Sequence, residues 1–260
     1  MSDQPFKITV ITVCYNSAAT LADALRSVAS QTWPYVEHIV IDGASNDGTR
    51  AVIEAHGERL AQVISEPDAG IYDAMNKGLR LATGDLVGFL NADDVFASTE
   101  TLARVACAAL DAPQADAVYG DLQYVDQDRP DQVFRHWRSE PFRPSRLRCG
   151  WMPPHPTLYV RRRVMESLGG FDTGFRIAAD YDFILRLFRR PGRNYVYLPQ
   201  VLVLMRTGGA SNRSLRALLR KSREDYRAVR RHSIGGWLTL ACKNFRKIGQ
   251  FFPGGRRDQC

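Results

Sequence analysis

Two hydrophobic periodicities alternate along the first hundred residues. Residues 7–13 (KITVITV) form a short, β-branched apolar run that predicts a buried strand. Behind Ser17, placed to cap a helix, Leu21, Leu25 and Val28 make an apolar stripe. The same alternation continues with strands predicted at 36–41, 61–65 and 86–90 and helices at 50–58 and 72–81. Strands that alternate with helices predict a parallel sheet covered on both faces. The rhythm changes after a helix at 98–110. Residues 117–125 and 132–137 predict a β-hairpin around the turn-prone DQDRPD, followed by a Pro-rich basic stretch. Two helices, at 161–168 (closed by Gly169-Gly170) and 180–189 (stopped by Pro191), precede short strands at 195–198 and 201–205.

Ligands on open α/β sheets sit beyond the carboxyl ends of the strands. Four predicted strand ends carry polar groups there: Cys14-Tyr15-Asn16, Asp42-Gly43, Glu66-Pro67-Asp68 and Asn91-Ala92-Asp93-Asp94. Carboxylates brought to one edge repel one another unless a cation or hydrogen-bond donors compensate. The adjacent Asp93 and Asp94 suit a hard divalent ion, Mg²⁺ or Mn²⁺, which takes oxygen ligands and shares them with phosphates; a turn with a nearby helix cap is the plainer alternative. Asp42, at its strand end, is placed to accept hydrogen bonds from a base or ribose, or simply to shape a strand-to-helix turn.

Composition adds a second asymmetry. At 45% hydrophobic and 24% charged, 260 residues suffice for a real core, which sets aside disorder and collagen-like repeats. The net charge of +7 is a difference of larger numbers. Residues 1–100 hold 6 Lys/Arg against 14 Asp/Glu, whereas 206–260 hold 14 against 3. Five scattered cysteines without a C-x-x-C pair predict reduced thiols and a cytoplasmic protein. No secretory leader or bilayer-spanning run is expected.

In order, TVCYN (12–16), IDGASNDGT (41–49), SEPDAGIYDAMNKG (65–78), FLNADD (89–94), GGFD (169–172) and AADYD (178–182) resemble the family 2 inverting glycosyltransferases of the GT-A fold, closest in wording to a bacterial surface-polysaccharide branch. The resemblance covers residues 6–210. It implies a Rossmann-like α/β fold in which a GT-A domain, 1–210, divides into a nucleotide-binding half (1–100) and an acceptor half (101–210), followed by a helical tail at 211–260. It implies that Thr12, Tyr15, Asn16, Asp42, Asp68 and Asn76 bind the nucleotide-sugar donor, with Asp42 on the nucleobase. Asn91-Ala92-Asp93 falls at the D-x-D position, so Asp93, with Asp94 beside it, is expected to hold the divalent ion that bridges the donor diphosphate. Asp180 matches the general base. The implied reaction moves a sugar from a UDP-type donor to a glycan or lipid-linked acceptor hydroxyl with inversion. This chain departs from the family pattern at Asn91, Met75 and Ala179, where Asp, Arg and Glu are frequent. On the acceptor or phosphate side stand Trp151, a sugar-stacking platform or simply core, His155, an acceptor-side ligand or a structural loop histidine, and Arg206, which with the loop Gly208-Gly209-Ala210-Ser211 either reaches the diphosphate or belongs to a surface loop.

Two other classes stand beside this reading. A sugar-phosphate nucleotidyltransferase needs a Gly-rich basic loop after the first strand, which TVCYNSAATL lacks. A non-catalytic nucleotide-sugar-binding scaffold has no use for both Asp93 and Asp180. The tail predicts a helix at 214–231 and a second apolar stripe through Trp237, Leu240, Ala241, Phe245, Ile248 and Phe252, opposite Lys243, Arg246 and Lys247. Such a helix suits an anionic membrane surface, here the inner face of the cell membrane, or packing on protein. Nothing else in the chain resembles a nucleic-acid module, so no nucleic acid is expected.

Overall fold

A computed structural model describes residues 5–127, 129, 131–206 and 215–248, with side chains described for 219–245 of the last segment. The parallel half comprises β1 (Ile8–Cys14), α1 (Leu21–Ala29), β2 (Val36–Asp42), α2 (Thr49–Ala55), β3 (Gln62–Ser65), α3 (Ile71–Leu81) and β4 (Leu86–Phe89). The remainder comprises β5 (Asp94–Phe96), α4 (Thr101–Asp111), β6 (Ala115–Val125), β7 (Val133–Trp137), α5 (Pro144–Leu147), β8 (Tyr159–Arg161), α6 (Arg162–Leu168), α7 (Ala179–Phe188), β9 (Asn194–Arg206), α8 (Leu215–Arg231) and α9 (Trp237–Ile248).

The strands form one mixed sheet in the order β3-β2-β1-β4-β8-β6-β9-β5, with β7 paired to β6. β1 runs parallel to β2 and β4, β2 to β3, and β6 to β9, while β5, β7 and β8 pair antiparallel with their neighbours. The side-chain period of two decides which layer each residue joins. Ile11 and Val13 of β1 pack with Tyr72 and Met75 of α3, while Ile8 and Val10 meet Ala24 and Val28 of α1. Both faces are therefore covered, and the near-continuous apolar run of β1 follows from that.

Helix α1 starts at Leu21 rather than behind a Ser17 cap; the Ser17 carbonyl accepts the backbone N–H groups of Thr20 and Leu21 in the preceding turn. The two short strands expected at 195–198 and 201–205 are one strand, β9. Its register against β6 shifts between Tyr119/Tyr197 and Asp121/Val201. Pro199 sits in that irregularity, where its missing N–H breaks no ladder bond. The three-residue strands β5 and β8 are too short to carry a period.

The C-terminal helices share the main core. Ala228, Val229, Ile234 and Leu240 belong to the same apolar cluster as α3, α6 and α7. Among the described residues no helix is long and apolar enough to cross a membrane.

Candidate functional site

The ends of β1, β2 and β3 bring three loops together. Asn16 holds a left-handed backbone (φ 50°), which Asn tolerates better than most residues. Its N–H donates to Ser45 Oγ at 2.8 Å, and its Oδ1 accepts the Asn46 N–H at 3.0 Å. Ser45 Oγ in turn donates to Asp42 at 2.5 Å, and Ser65 Oγ donates to the other Asp42 oxygen at 2.6 Å. Asp42 is fully buried and serves in this structure as the hub that shapes the loops. Tyr15, by contrast, is 63% exposed. A Cβ on Gly43 would lie 2.5 Å from Asp68 Oδ2 and 3.3 Å from the Tyr15 ring, so glycine allows the three loops to close on one another. Asp47, not Asn46, prepares helix α2, accepting the Thr49 N–H at 3.1 Å.

Beyond β4 the chain turns through Asn91-Ala92-Asp93-Asp94, closed by the Asp94 N–H on the Asn91 carbonyl at 3.1 Å. Asn91 Nδ2 donates to Asp94 Oδ2 at 2.9 Å. Asp94 is 1% exposed, and its Oδ1 has no partner among the described residues. Burial pushes the Asp93 carboxyl above its ordinary range; burial and then the Asp93 charge push Asp94 well above it. Hydrogen bonds from Asn91 and the Arg206 backbone, and then the Arg206 charge, oppose the Asp94 shift; the Asp93 backbone and the Arg206 charge oppose that of Asp93. Two repelling carboxylates with an orphaned oxygen fit a divalent cation, which would supply the missing positive charge. Among the described residues no group of three or more His, Cys, Asp or Glu forms a closed cage. That donor set is compatible with Mg²⁺ or Mn²⁺, which usually completes its shell with substrate phosphates and water.

Asp180 lies in the first turn of α7. The Tyr72 hydroxyl is 2.7 Å from the Ile177 carbonyl and 3.1 Å from Asp180 Oδ1. Burial, followed by the Asp180 charge, pushes the Tyr72 phenol up and keeps it protonated. His155 stacks on Phe89 at 5.6 Å and meets Phe171 edge-on at 5.7 Å. Both its ring nitrogens are buried without a partner among the described residues. Burial depresses its pKa and the Asp180 charge opposes this. Tyr124 of β6 joins the two carboxylate centres: after burial, the charges of both Asp94 and Asp180 act on its phenol, pushing it up against Arg135. The Asp180 charge thus acts on Tyr72, Tyr124 and His155, and the Asp94 charge on Tyr124.

Other expected site residues have different places. Thr12 is fully buried, its hydroxyl 3.0 Å from His38 Nε2, inside the sheet rather than at its edge. Trp151 is 3% exposed and packs edge-on against Tyr119 and Phe188. It belongs to the main apolar cluster with Leu147, Tyr119 and Phe188, and so offers no open stacking platform. Asn76 braces the loop before Asp180: its side chain donates to the Phe171 carbonyl at 2.8 Å and accepts the Phe171 N–H at 2.9 Å. Gly170 (φ 70°) is needed there, since a Cβ would meet Asn76 Oδ1 at 2.5 Å. Ala92 is buried within the Asn91–Asp94 turn, and Asp68 accepts the Gly70 N–H at 2.8 Å. Arg206 donates to Asp23 at 2.7 Å, tying the end of β9 to α1. The loop Gly208-Gly209-Ala210-Ser211, like Phe252, lies outside the described residues. Sequence reading passed over Tyr72 and Tyr124, which look like ordinary members of apolar patterns; a hydroxyl on an otherwise buried stripe was the available signal.

Residues 9–179 match the sequence profile described as Glycosyl transferase family 2. The chain is 35% identical over 217 residues to a "PGL/p-HBAD biosynthesis glycosyltransferase" of Mycobacterium bovis, covering 82% of this chain and 81% of that protein. It is 34% identical over 196 residues to the "O-antigen biosynthesis protein RfbC" of Myxococcus xanthus, covering 72% of this chain but 15% of that one. Among solved structures, S. aureus TarS 1-349 in complex with UDP-GlcNAc superimposes with a TM-score of 0.68 at 20% identity, over 88% of this chain and 66% of that one. The chain spans 39% of the longer TarS structure. Mannosyltransferase PcManGT from Pyrobaculum calidifontis, in complex with GDP-Man and Mn2+, superimposes with a TM-score of 0.66 at 24% identity, over 91% and 69% of the two chains. The fold is that of the GT-A glycosyltransferases, and the chain belongs to glycosyl transferase family 2.

Proposed function

We propose that this chain transfers a sugar from a nucleotide diphosphate, a UDP-sugar, to an acceptor hydroxyl with inversion, in assembly of a bacterial surface polysaccharide or lipopolysaccharide. The observation that carries the reading is the buried Asp94, with an unpartnered oxygen beside Asp93 just beyond β4, in a chain whose Asp180 is held at 3.1 Å by the Tyr72 hydroxyl. In this reading Tyr15, Asn16, Asp42 and Asp68 form the nucleotide end, with the exposed Tyr15 ring available to the base. Asn91, Asp93 and Asp94 would hold Mg²⁺ or Mn²⁺; bound there, the ion supplies Lewis-acid stabilisation of the charge on the leaving diphosphate. Asp180 takes the proton from the acceptor hydroxyl as its oxygen bonds to the anomeric carbon. The bond from that carbon to the diphosphate oxygen breaks on the opposite face, and the nucleoside diphosphate leaves with the electron pair. One displacement inverts the centre. His155, on which the Asp180 charge acts, is kept in this reading as an acceptor-side residue. Support for a nucleotide-sugar donor comes from TarS, whose structure contains UDP-GlcNAc, and from PcManGT, with GDP-Man and Mn2+.

The reading is tested by Asp180→Asn. Turnover is expected to fall about a thousandfold, within the range of general-base contributions, while nucleoside diphosphate binding stays unchanged. Wild-type turnover in that variant would remove Asp180 from the role.

The same proposal takes the GT-A domain as 1–210 and residues 211–260 as a basic extension that meets the inner face of the cell membrane. Trp237, Leu238 and Phe245 are 66%, 83% and 71% exposed on α9, an outer apolar face within the most basic part of the chain. Co-sedimentation with anionic liposomes is expected to fall on Leu238→Ser and at raised salt; binding insensitive to both would contradict membrane contact.

A further inference from the structure

The two C-terminal helices do more than pack: they grip the segment that carries Asp180. We propose that Glu224, assisted by the Asp225–Lys243 pair, is a positioning residue for Asp180, an inference that rests on reading Asp180 as the base.

Three consecutive backbone N–H groups just before α7, those of Arg176, Ile177 and Ala178, donate to the same Glu224 oxygen at 3.1, 2.8 and 3.0 Å. Successive amides turned toward one anion form an anion-binding concavity, and here its occupant is a side chain from a helix 46 to 48 residues onward. The residue after Asp180 is held as well. Lys243 Nζ of α9 lies 3.2 Å from the Tyr181 ring centroid and 2.9 Å from Asp225, and both charges are nearly buried, at 5% and 7% side-chain exposure. Buried ion pairs add little net stability relative to an apolar replacement, so geometry is the better account of this one. One residue further, the fully buried Asp182 lies 2.8 Å from a ring nitrogen of His232, at the end of α8.

Residues 176–178, 181 and 182 are thus fixed by α8 and α9, whereas Asp180 itself has its polar contact with Tyr72 on the α3 side. This arrangement locks the backbone on both sides of the carboxylate, whose own polar contact is the Tyr72 hydroxyl. Misplacing a reacting group by about an ångström costs up to a hundredfold in rate, so the grip should appear in turnover rather than in donor binding.

The test uses the full chain with Glu224→Ala, Glu224→Gln, Lys243→Met and Asp180→Asn. Release of UDP and GDP is followed from a pool of UDP-glucose, UDP-GlcNAc and GDP-mannose with Mn²⁺, alongside UDP and GDP affinity and amide exchange at 176–178. For Glu224→Ala the expected result is a ~30-fold lower maximal rate, with donor KM and nucleotide affinity within about twofold and faster exchange at those amides. Glu224→Gln, which keeps an acceptor oxygen but loses the charge, should fall between; Lys243→Met should lower the rate ~5-fold by the same route. If Glu224→Ala does not fold, Glu224→Gln and Lys243→Met decide. An unchanged maximal rate in the folded Glu224 variants, with Asp180→Asn inactive, overturns the positioning role; so does a loss expressed in KM alone. Wild-type release by Asp180→Asn instead overturns the base assignment, and the inference with it.

Discussion

Asp94 and Asp182 are both buried carboxylates near the start of a secondary-structure element, yet their surroundings are opposite. Asp182 has a full complement: Arg186 Nε donates at 2.9 Å and a His232 ring nitrogen lies at 2.8 Å. Burial alone would raise its pKa, but the His232 hydrogen bond and the Arg186 charge outweigh that and hold it below the ordinary range. Asp94 has one amide hydrogen bond, an orphaned oxygen and a second carboxylate beside it, so burial and repulsion drive it the other way. The first is a structural ion pair completed within the chain. The second is left incomplete in a way that a cation would satisfy, and incompleteness of this kind marks a site more reliably than acidity does.

The largest effect should come from breaking the complete pair. Arg186→Met leaves Asp182 with His232 alone and also removes donors to the Leu168 and Gly170 carbonyls, so a loss of about 3 kcal/mol is expected in urea unfolding. A loss below about 1 kcal/mol would mean that Asp182 is not held by Arg186.

A smaller change of opposite sign is expected at the other carboxylate. Without divalent metal, Asp94→Asn should leave the fold about 1 kcal/mol more stable, because it removes a repelling buried charge. The pH dependences differ in the same sense. The folded pKa of Asp182 lies below its unfolded value near 3.8, so its contribution is present above that pH and is lost as pH falls through the folded pKa. Asp94 has a raised folded pKa; its contribution is present below 3.8 and is lost as pH rises through the folded value. Melting curves from pH 4 upward should therefore show a metal-free decline that Asp94→Asn lessens and Mn²⁺ offsets; equal curves for the two proteins would contradict the contrast.

The two regions were also unequally legible in sequence. The period-two and helical patterns of residues 7–90 translate directly into β1 to β4 and their helices, because both sheet faces are covered by local crossovers. The turn FLNADD was readable as a candidate metal site because an apolar strand ends abruptly in acid. The environment of Asp182 was not readable: its His232 contact spans 50 residues, and His232 sits in a charged run that resembles a solvated helix face. Glu224 was hidden for the same reason. Thr12 shows the converse, since motif position suggested the cleft whereas packing put it in the interior, and for Trp151 packing decided for core between the two readings its sequence left open. The C-terminal helices, read by amphipathicity as a membrane-facing tail or a packed extension, bury one face on the core and expose Trp237, Leu238 and Phe245 on the other.

The central claim is that the Asn91–Asp94 turn binds a divalent ion together with a nucleoside diphosphate. Titration calorimetry of UDP into the full chain, with and without Mn²⁺, tests it most directly when repeated on Asp93→Ala. The account predicts binding that Mn²⁺ strengthens at least tenfold in the wild type, about 1.4 kcal/mol, and that loses this dependence in Asp93→Ala. UDP affinity that Mn²⁺ strengthens equally in both proteins, or that is independent of Mn²⁺ in the wild type, would contradict it.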